Sequence, residues 1–503
     1  MPTYYTAVYL RIQLATATLV AILAGVGQAA VAADVQSTDV LAHAANPAAS
    51  ARLAPVMRDL VDAALAYNLE LAAAGAGIDS RLAGLDEARA RYLPALDFAA
   101  RYSAATGGRT IDVPVGDLVN PIYAALERLE PGQAYPRVAN QQIAFLRHRE
   151  QETKFVLSQP LFDARLGASR AYAAAELESA RISTDGLRER VTLDMQQAYL
   201  ALLAARANVA VLDATLDLAR ENLKANESLY RNGKATRDLV YRAEADLLET
   251  TQRRLTAANA ADLGRAYVNQ LRNQPLDAPI AMADVRDLDD ADLLRLNMAD
   301  AGQGALARLQ AQALEHRREL RQLDANKDAA LANEALARAG FKPTVGLSVE
   351  AGTQGETYGF SSNDRYVLAS VVLRFNLFDG GADRAAVRSA HALAAQLDSQ
   401  RADTENRIRV EVQRSLQDFV AARASIDTAK KRLDASSAAF AISQKKRDLG
   451  AINQTEFIDA RRALTDAALN LNQTRFQALS SLAALDYATG RADRTLRIPG
   501  TGE

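Results

Sequence analysis

The four histidines, His43, His148, His316 and His391, fall in different segments with no spacing that would hold a metal ion. Cysteine is absent, which removes disulfides, thiolate chemistry and thiolate metal sites. No phosphate-binding glycine loop and no nucleophile motif occurs. Two glycine turns are basic. Arg231, Lys234 and Arg237 surround Gly233, and Lys445, Lys446 and Arg447 precede Gly450. Each glycine suits the left-handed conformation that ends a helix, and on these residues alone a solvated basic turn is the simplest reading. Just past the second turn, Glu456 and Asp459 are spaced i, i+3, which puts two carboxylates on one helix face. Other carboxylates share helices with Arg and Lys, where solvated pairing is the default. This is chemistry of recognition rather than bond-making. No catalytic residue, cofactor site or metal site is expected, and the chain is not read as an enzyme.

The turns belong to long helices. Leu161 to Gln274 holds no proline, and a heptad runs through it: Val191, Met195, Ala198, Leu202, Ala205, Val209, Leu212, Leu216, Ala219, Leu223, Asn226, Tyr230. Alternating spacings of 4 and 3 keep one helix face turned to a partner. A helix over Asp163–Tyr230 would span about 100 Å. The pattern returns 217 residues later at Ile408, Val412, Ser415, Phe419, Ala422, Ile426, Ala429, Leu433, Ser436, Phe440 and Ser443. Gly233 maps onto Gly450 at that offset, as do the return helices, with Arg254 in the place of Leu471. The chain is read as an internal duplication. Small seam residues (Ala198, Ala205, Ala219) let backbones approach while large ones fill the facing holes. An isolated two-stranded coiled coil and a wall of many such helices both fit, and the second gives each hairpin the neighbours it needs.

Net charge is −2 over 503 residues, so no nucleic-acid partner is expected. Residues 1–33 read as a signal peptide: Arg11, an apolar run from Leu14 to Val26, then Ala30-Val31-Ala32 as a cleavage site. A retained membrane helix is the competing reading, but the run is shorter than the ~20 residues needed. No later segment is read as approaching that length, so no transmembrane helix is expected in the mature chain. Residues 34–55 read as a poorly ordered leader.

Val56 to Arg91 reads as one helix, with Leu60, Ala64, Tyr67 and Leu71 on a face. Its counterpart lies 249 residues on, where Glu70-Leu71 matches Glu319-Leu320 and the run Glu87 to Pro94 resembles Glu334 to Pro343. Strands follow each proline. Val345, Leu347, Val349 and Ala351 alternate with Thr344, Gly346, Ser348 and Glu350, and Val367, Ala369, Val371, Leu373, Phe375 and Leu377 alternate with Leu368, Ser370, Val372, Arg374 and Asn376. Weaker versions lie at Tyr92–Ala104 and Thr153–Phe162. Such alternation over about ten residues marks outer-membrane barrel strands, and a surface hairpin of a soluble protein would look alike. Residues 105–152 read as a long loop. Tyr92, Phe162, Phe341 and Phe378 fall where strand meets helix, which suits a membrane–water boundary or a packed junction. Residues 273–305 form an acidic connector and 491–503 a polar tail.

Four strands cannot close a barrel, for which about eight is the minimum. The chain must therefore oligomerise, and three copies supply twelve strands and twelve long helical positions. An exported barrel continued by a helical tube is a conduit.

At this point the sequence resembles the TolC family of outer-membrane efflux and type I secretion channels. The resemblance rests on the duplicated helix–strand–loop–strand–hairpin unit, Pro160-Leu-Phe-Asp163, Asn376-Leu-Phe-Asp-Gly380, Tyr230-Arg-Asn-Gly-Lys234 and Asp448-Leu-Gly-Ala451. It covers repeat 1 (56–272, hairpin 163–272) and repeat 2 (306–490, hairpin 379–490). It implies a mainly α fold with a small β portion: a homotrimer whose twelve-stranded outer-membrane β-barrel continues into a twelve-helix periplasmic α-barrel. It implies outer-membrane lipid, a periplasmic adaptor and an inner-membrane pump of the ABC or RND type as partners. The basic turns at Arg231, Gly233, Lys234, Arg237 and at Lys445, Lys446, Arg447, Gly450 would then meet the adaptor. Glu456 and Asp459 would form the periplasmic gate. Ile452 and Leu239 depart from the family, standing where a basic and an acidic gate residue are usual, so closure there would rest partly on apolar contacts. A structural periplasmic coiled coil without channel activity is the alternative reading.

Overall fold

A computed structural model describes residues 53–283, 304–357, 359 and 361–492. The signal peptide, all but the end of the leader, and most of the acidic connector and tail lie outside the described residues. Two helices dominate, α4 (Ala164–Arg231, 68 residues) and α8 (Ala382–Asp448, 67 residues). Each turns back into a helix of 35 residues, α5 (Arg237–Leu271) and α9 (Gln454–Ala488). At both turns glycine has φ +68°, and the residue after it donates its N–H to a carbonyl five residues back: Lys234 to Leu229 at 2.8 Å and Ala451 to Lys446 at 2.8 Å. That six-residue closure satisfies carbonyls the helix end would leave bare.

Many of the heptad residues fill the seams, while Tyr230 beside the turn stays exposed. Val191, Met195, Leu202, Leu216, Ile408, Val412, Phe419 and Ile426 are buried. One window of α4 is apolar enough to cross a membrane by composition, contrary to the sequence expectation. It overlaps the stretch whose Leu200, Leu202 and Leu203 pack inside the chain, which accounts for its apolarity without a bilayer.

The expected single helix over Val56–Arg91 is two, α1 (Leu53–Tyr67) and α2 (Leu69–Ala90), broken at Asn68. The first helix therefore takes in the last three residues of the expected leader, because Leu53 and Val56 already pack in the core. The second repeat breaks likewise, between α6 (Ala305–His316) and α7 (Arg318–Ala339) at Arg317. Both break residues adopt the same extended backbone, φ −63° and ψ 127° for Asn68, φ −61° and ψ 129° for Arg317. Each reaches the last turn of a return helix. Asn68 Nδ2 donates to Leu271 O at 3.0 Å, while its Oδ1 accepts from the N–H groups of Glu70 and Leu71. Arg317 Nη1 donates to Ala488 O at 3.3 Å and Glu411 at 3.0 Å, and its Nη2 donates to Glu319 at 2.7 Å. Helix ends buried against each other must find such partners, because water cannot reach them. Thus the start of α2 meets the end of α5, and the start of α7 meets the end of α9. The main core lies at this level, where Met57, Val61, Tyr199, Val268, Leu320, Phe476 and Leu479 meet.

Beyond the helices a four-stranded antiparallel sheet runs in the order β1 (Ala95–Ala104), β4 (Arg149–Phe162), β5 (Thr344–Gly355), β6 (Arg365–Arg374). The expected loop 105–152 is partly ordered, which corrects the sequence reading. It holds a ribbon of β2 (Thr110–Val113) with β3 (Gln141–Ala144), and helix α3 (Val115–Leu129) between them. Gly107-Gly108, Pro114, Pro121, Pro131-Gly132 and Pro136 make this stretch read as turns. Gly116 is needed because a Cβ there would lie 2.3 Å from Val138 O, and Asn120 clamps the same segment through Val138 N and O.

Candidate functional site

The sheet has two faces of opposite chemistry, set by its register. Leu96, Phe98 and Tyr102 of β1 lie on the same side as Phe155 and Leu157 of β4, Val345, Leu347 and Val349 of β5, and Val367, Val371 and Leu373 of β6. Phe98 and Phe155 touch, with ring centroids 5.1 Å apart. Their exposure is what a soluble protein would avoid: Leu96 66%, Phe98 62%, Val367 76%, Leu373 66%. The other side carries an ionic network. Lys154 Nζ donates to Glu350 at 2.8 Å and lies 3.1 Å from Glu152, which also meets Arg101 at 3.2 Å and the Tyr366 hydroxyl at 3.2 Å. Strands β1 and β6 each leave one edge without a partner. Such edges, on a sheet with one apolar and one ionic face, are open to pairing with a strand of another chain.

The boundary aromatics are exposed in this chain, from 40% for Tyr92 through Phe341 47% and Phe162 49% to 85% for Phe378. Packing at a junction within the chain therefore does not account for them.

At the far end of the hairpins, Arg231, Lys234, Arg237, Lys445 and Lys446 are exposed. Arg447 is half-buried and folds back over the Phe457 ring, 4.3 Å from its centroid, so it does not project as the other turn residues do. Phe457 in turn meets Phe440. Arg237 lies over Tyr241 at 5.2 Å.

Glu456 and Asp459 are both exposed on the first turns of α9, while Phe457 and Ile458 between them are buried. Asn453 caps that helix, its Oδ1 accepting from Glu456 N at 2.8 Å. A carboxylate there is favoured by the helix N-terminus. Ile452 and Leu239 are half-buried.

The polar tie between hairpins lies deeper, among residues that sequence reasoning passed over. Arg461 and Asp246 are buried together, with Arg461 Nη2 donating to Asp246 Oδ1 at 2.5 Å and Nη1 to Thr215 O at 3.4 Å. Burial pushes the Asp246 carboxyl above its ordinary range, with Arg461 and Arg462 offsetting part of that. Around this pair run Arg242 to Thr455 (3.2 Å), Arg462 to Glu249 (2.5 Å) and Arg253 to Asp466 (2.7 Å). These bonds join α5 to α9. Arg254, the seam exception, reaches across to Asp213 of α4 at 2.8 Å instead of packing inward. No group of His, Asp or Glu suited to a metal ion occurs among the described residues.

The outer membrane efflux protein family model matches residues 60–272 and 309–491. The alkaline protease secretion protein AprF of Pseudomonas aeruginosa is 24% identical over 346 residues, 67% of this chain and 69% of that protein. The CmeC outer membrane channel of Campylobacter jejuni matches with TM-score 0.70 over 87% of this chain and 86% of its own, at 15% identity. The open state of the Neisseria gonorrhoeae MtrE outer membrane channel matches with TM-score 0.67 over 88% of this chain and 91% of its own, at 17% identity. These structures share the fold: mainly helical, with few strands. The two matched blocks take in both long hairpins and all four strands of the sheet, and the chain belongs to the outer membrane efflux protein family, channel proteins of the outer membrane.

Proposed function

We propose that three copies assemble into an exit duct of the outer membrane. It would receive cargo from a periplasmic adaptor and an inner-membrane pump of the ABC or RND type, and release it outside the cell. The observation that carries this reading is the sheet with two open edges, an exposed apolar face and an ionic face. Joining β6 of one chain to β1 of the next, three times, closes twelve strands with the ionic face inward. The stacked pairs α2–α5 and α7–α9, with α4 and α8, give each copy four helical positions around a tube. Tyr92, Phe162, Phe341 and Phe378 would then ring the inner membrane–water boundary.

At the periplasmic mouth, a threefold axis would gather Glu456 and Asp459 from all copies into six carboxylates, an arrangement that draws cations. The basic turns would dock the adaptor, with Lys445 and Lys446 the most outward groups of the second turn. The relative AprF is named for protease secretion and the family for efflux, so secreted protein and small molecules are both cargo classes for this chain. The test is purification in detergent, mass by light scattering, and conductance in planar bilayers. A trimer with stable single-channel steps supports the duct. A protein that stays soluble without detergent and conducts nothing would be a structural coiled coil instead.

A further inference from the structure

The apolar face of the sheet is not uniform along its length. Among its described strand residues it carries two charged side chains, Arg149 on β4 and Arg365 on β6, both exposed. Both sit toward the sheet end remote from the helices, where β1, β4, β5 and β6 give way to loops. Arg149 pairs with Ala104 beyond Tyr102, and Arg365 pairs with Thr353 beyond Val367. Two more exposed arginines follow in the segments joining this end to the ribbon, Arg147 and Arg109, the latter over the Phe145 ring at 5.4 Å. The acids next to these arginines in the chain have other partners or another face. Glu150 and Glu152 belong to the ionic face by register, and Asp364 accepts from the Ser361 hydroxyl at 2.8 Å. By register Arg149 and Arg365 thus stand at one end of the apolar face, on the side away from the ionic network, with Gln151 and Thr153 between Arg149 and Phe155.

We infer that Arg149 and Arg365, extended by Arg147 and Arg109, bind the phosphates of an anionic, phosphorylated lipid of the outer leaflet, whose acyl chains lie along Phe98, Phe155, Val367 and Val371. This rests on the barrel reading above, which turns this face to the bilayer. The pairing is one of charge complementarity: guanidinium presents a planar fork that matches phosphate oxygens, and at a lipid–water boundary such bonds are less screened than in bulk water. Arginine stems also lie along apolar surface while the head stays at the polar boundary. A zwitterionic lipid would satisfy the apolar face but leave these groups without an anion. Three copies repeat the patch around the barrel, so the account expects a collar of bound lipids rather than one.

The experiment is native mass spectrometry of the full chain, delipidated in detergent, with bisphosphorylated lipid A, its dephosphorylated form, phosphatidylethanolamine and inorganic pyrophosphate as separate probes. Bisphosphorylated lipid A is expected to bind in threefold multiples, with about tenfold weaker binding of the dephosphorylated form, as one or two lost charge-assisted bonds imply. Arg149→Gln with Arg365→Gln should lower lipid A binding by about tenfold or more on the same scale, while Arg374→Gln on the ionic face leaves it unchanged. Circular dichroism checks that the variants keep their helices. Equal binding of both lipid A forms, an unchanged double variant, or pyrophosphate bound as tightly as lipid A would overturn the lipid-phosphate site while leaving the barrel standing. Failure of every lipid to bind would remove the barrel reading itself.

Discussion

Removing one member of the buried Asp246–Arg461 pair is expected to cost far more than removing both. The side chains are 3% and 2% exposed and joined by one short hydrogen bond. Asp246 Oδ2 and Arg461 Nε have no hydrogen-bond partner. In Asp246→Leu the buried guanidinium keeps only its 3.4 Å bond to Thr215 O, and an unpaired buried charge costs about 3–5 kcal/mol. In Arg461→Met, Asp246 still has Arg462, whose Nε lies 3.5 Å away and whose side chain is 42% exposed, so the loss falls near the lower end, about 3 kcal/mol. The double variant removes two desolvated charges and two unsatisfied atoms while filling the space, and is expected within about 1 kcal/mol of the original chain. The coupling between the substitutions is then about 5 kcal/mol or more, far outside additivity. Urea unfolding followed by the helical signal, at one fixed protein concentration in detergent, reads all four corners of the cycle. Single losses that simply add in the double variant would refute the claim that charge burial, rather than packing, governs this contact.

Other outcomes follow from the same geometry. Asn68→Ala leaves buried helix-end groups of both α2 and α5 without partners, and should destabilise by about 1–3 kcal/mol in the same unfolding assay. Burial raises the Glu319 carboxyl, but hydrogen bonds and charge from Arg317 outweigh it and leave the group below its ordinary 4.5. A lowered acid contributes stability above its unfolded value that disappears as pH falls through the folded one. Melting temperature should therefore drop on acidification below about pH 4.5, and Arg317→Met should flatten that part of the profile. Glu456→Gln with Asp459→Asn is expected to lower cation selectivity and abolish block by multivalent cations added on the periplasmic side in single-channel recordings; unchanged selectivity and block place the constriction elsewhere. Reversing charge at Lys445 and Lys446 should weaken export while leaving the assembly intact, and unchanged export counts against docking at that turn.

Features with a local period were legible in the sequence. The heptad through Val191, Met195 and Leu202 and the alternation through Val345 to Ala351 each state which face is buried or shared. Features made by distant partners were not. The break at Asn68 lies inside a continuous apolar pattern, and the carbonyl that its side chain satisfies is 203 residues away. Asp246 and Arg461 look like any solvated helix charges, and the duplication gives no warning, because their equivalents at an offset of 217 are Ala463 and Glu244. Helix α3 was hidden by Pro114 and Pro121, since proline marks turns locally while Asn120 and Val138 hold the helix through later residues. Among the candidate site residues, Arg447 turned inward because Phe457 offers its ring face across the turn. Glu456 and Asp459 stay exposed, and the interaction that would define them lies between copies of the chain.

The central claim, closure of three copies through open sheet edges, is tested most directly by disulfide cross-linking, for which the natural absence of cysteine gives a clean background. Ala99→Cys on β1 is combined in turn with cysteine at Tyr366, Leu368, Ser370 or Val372 on β6, all on the ionic face by register. The membrane-reconstituted variants are then oxidised. The account predicts that at least one pair yields a covalent ladder ending at the trimer, with conductance retained. No cross-link at any of the four positions, or a ladder that stops at the dimer or runs past the trimer, would contradict it.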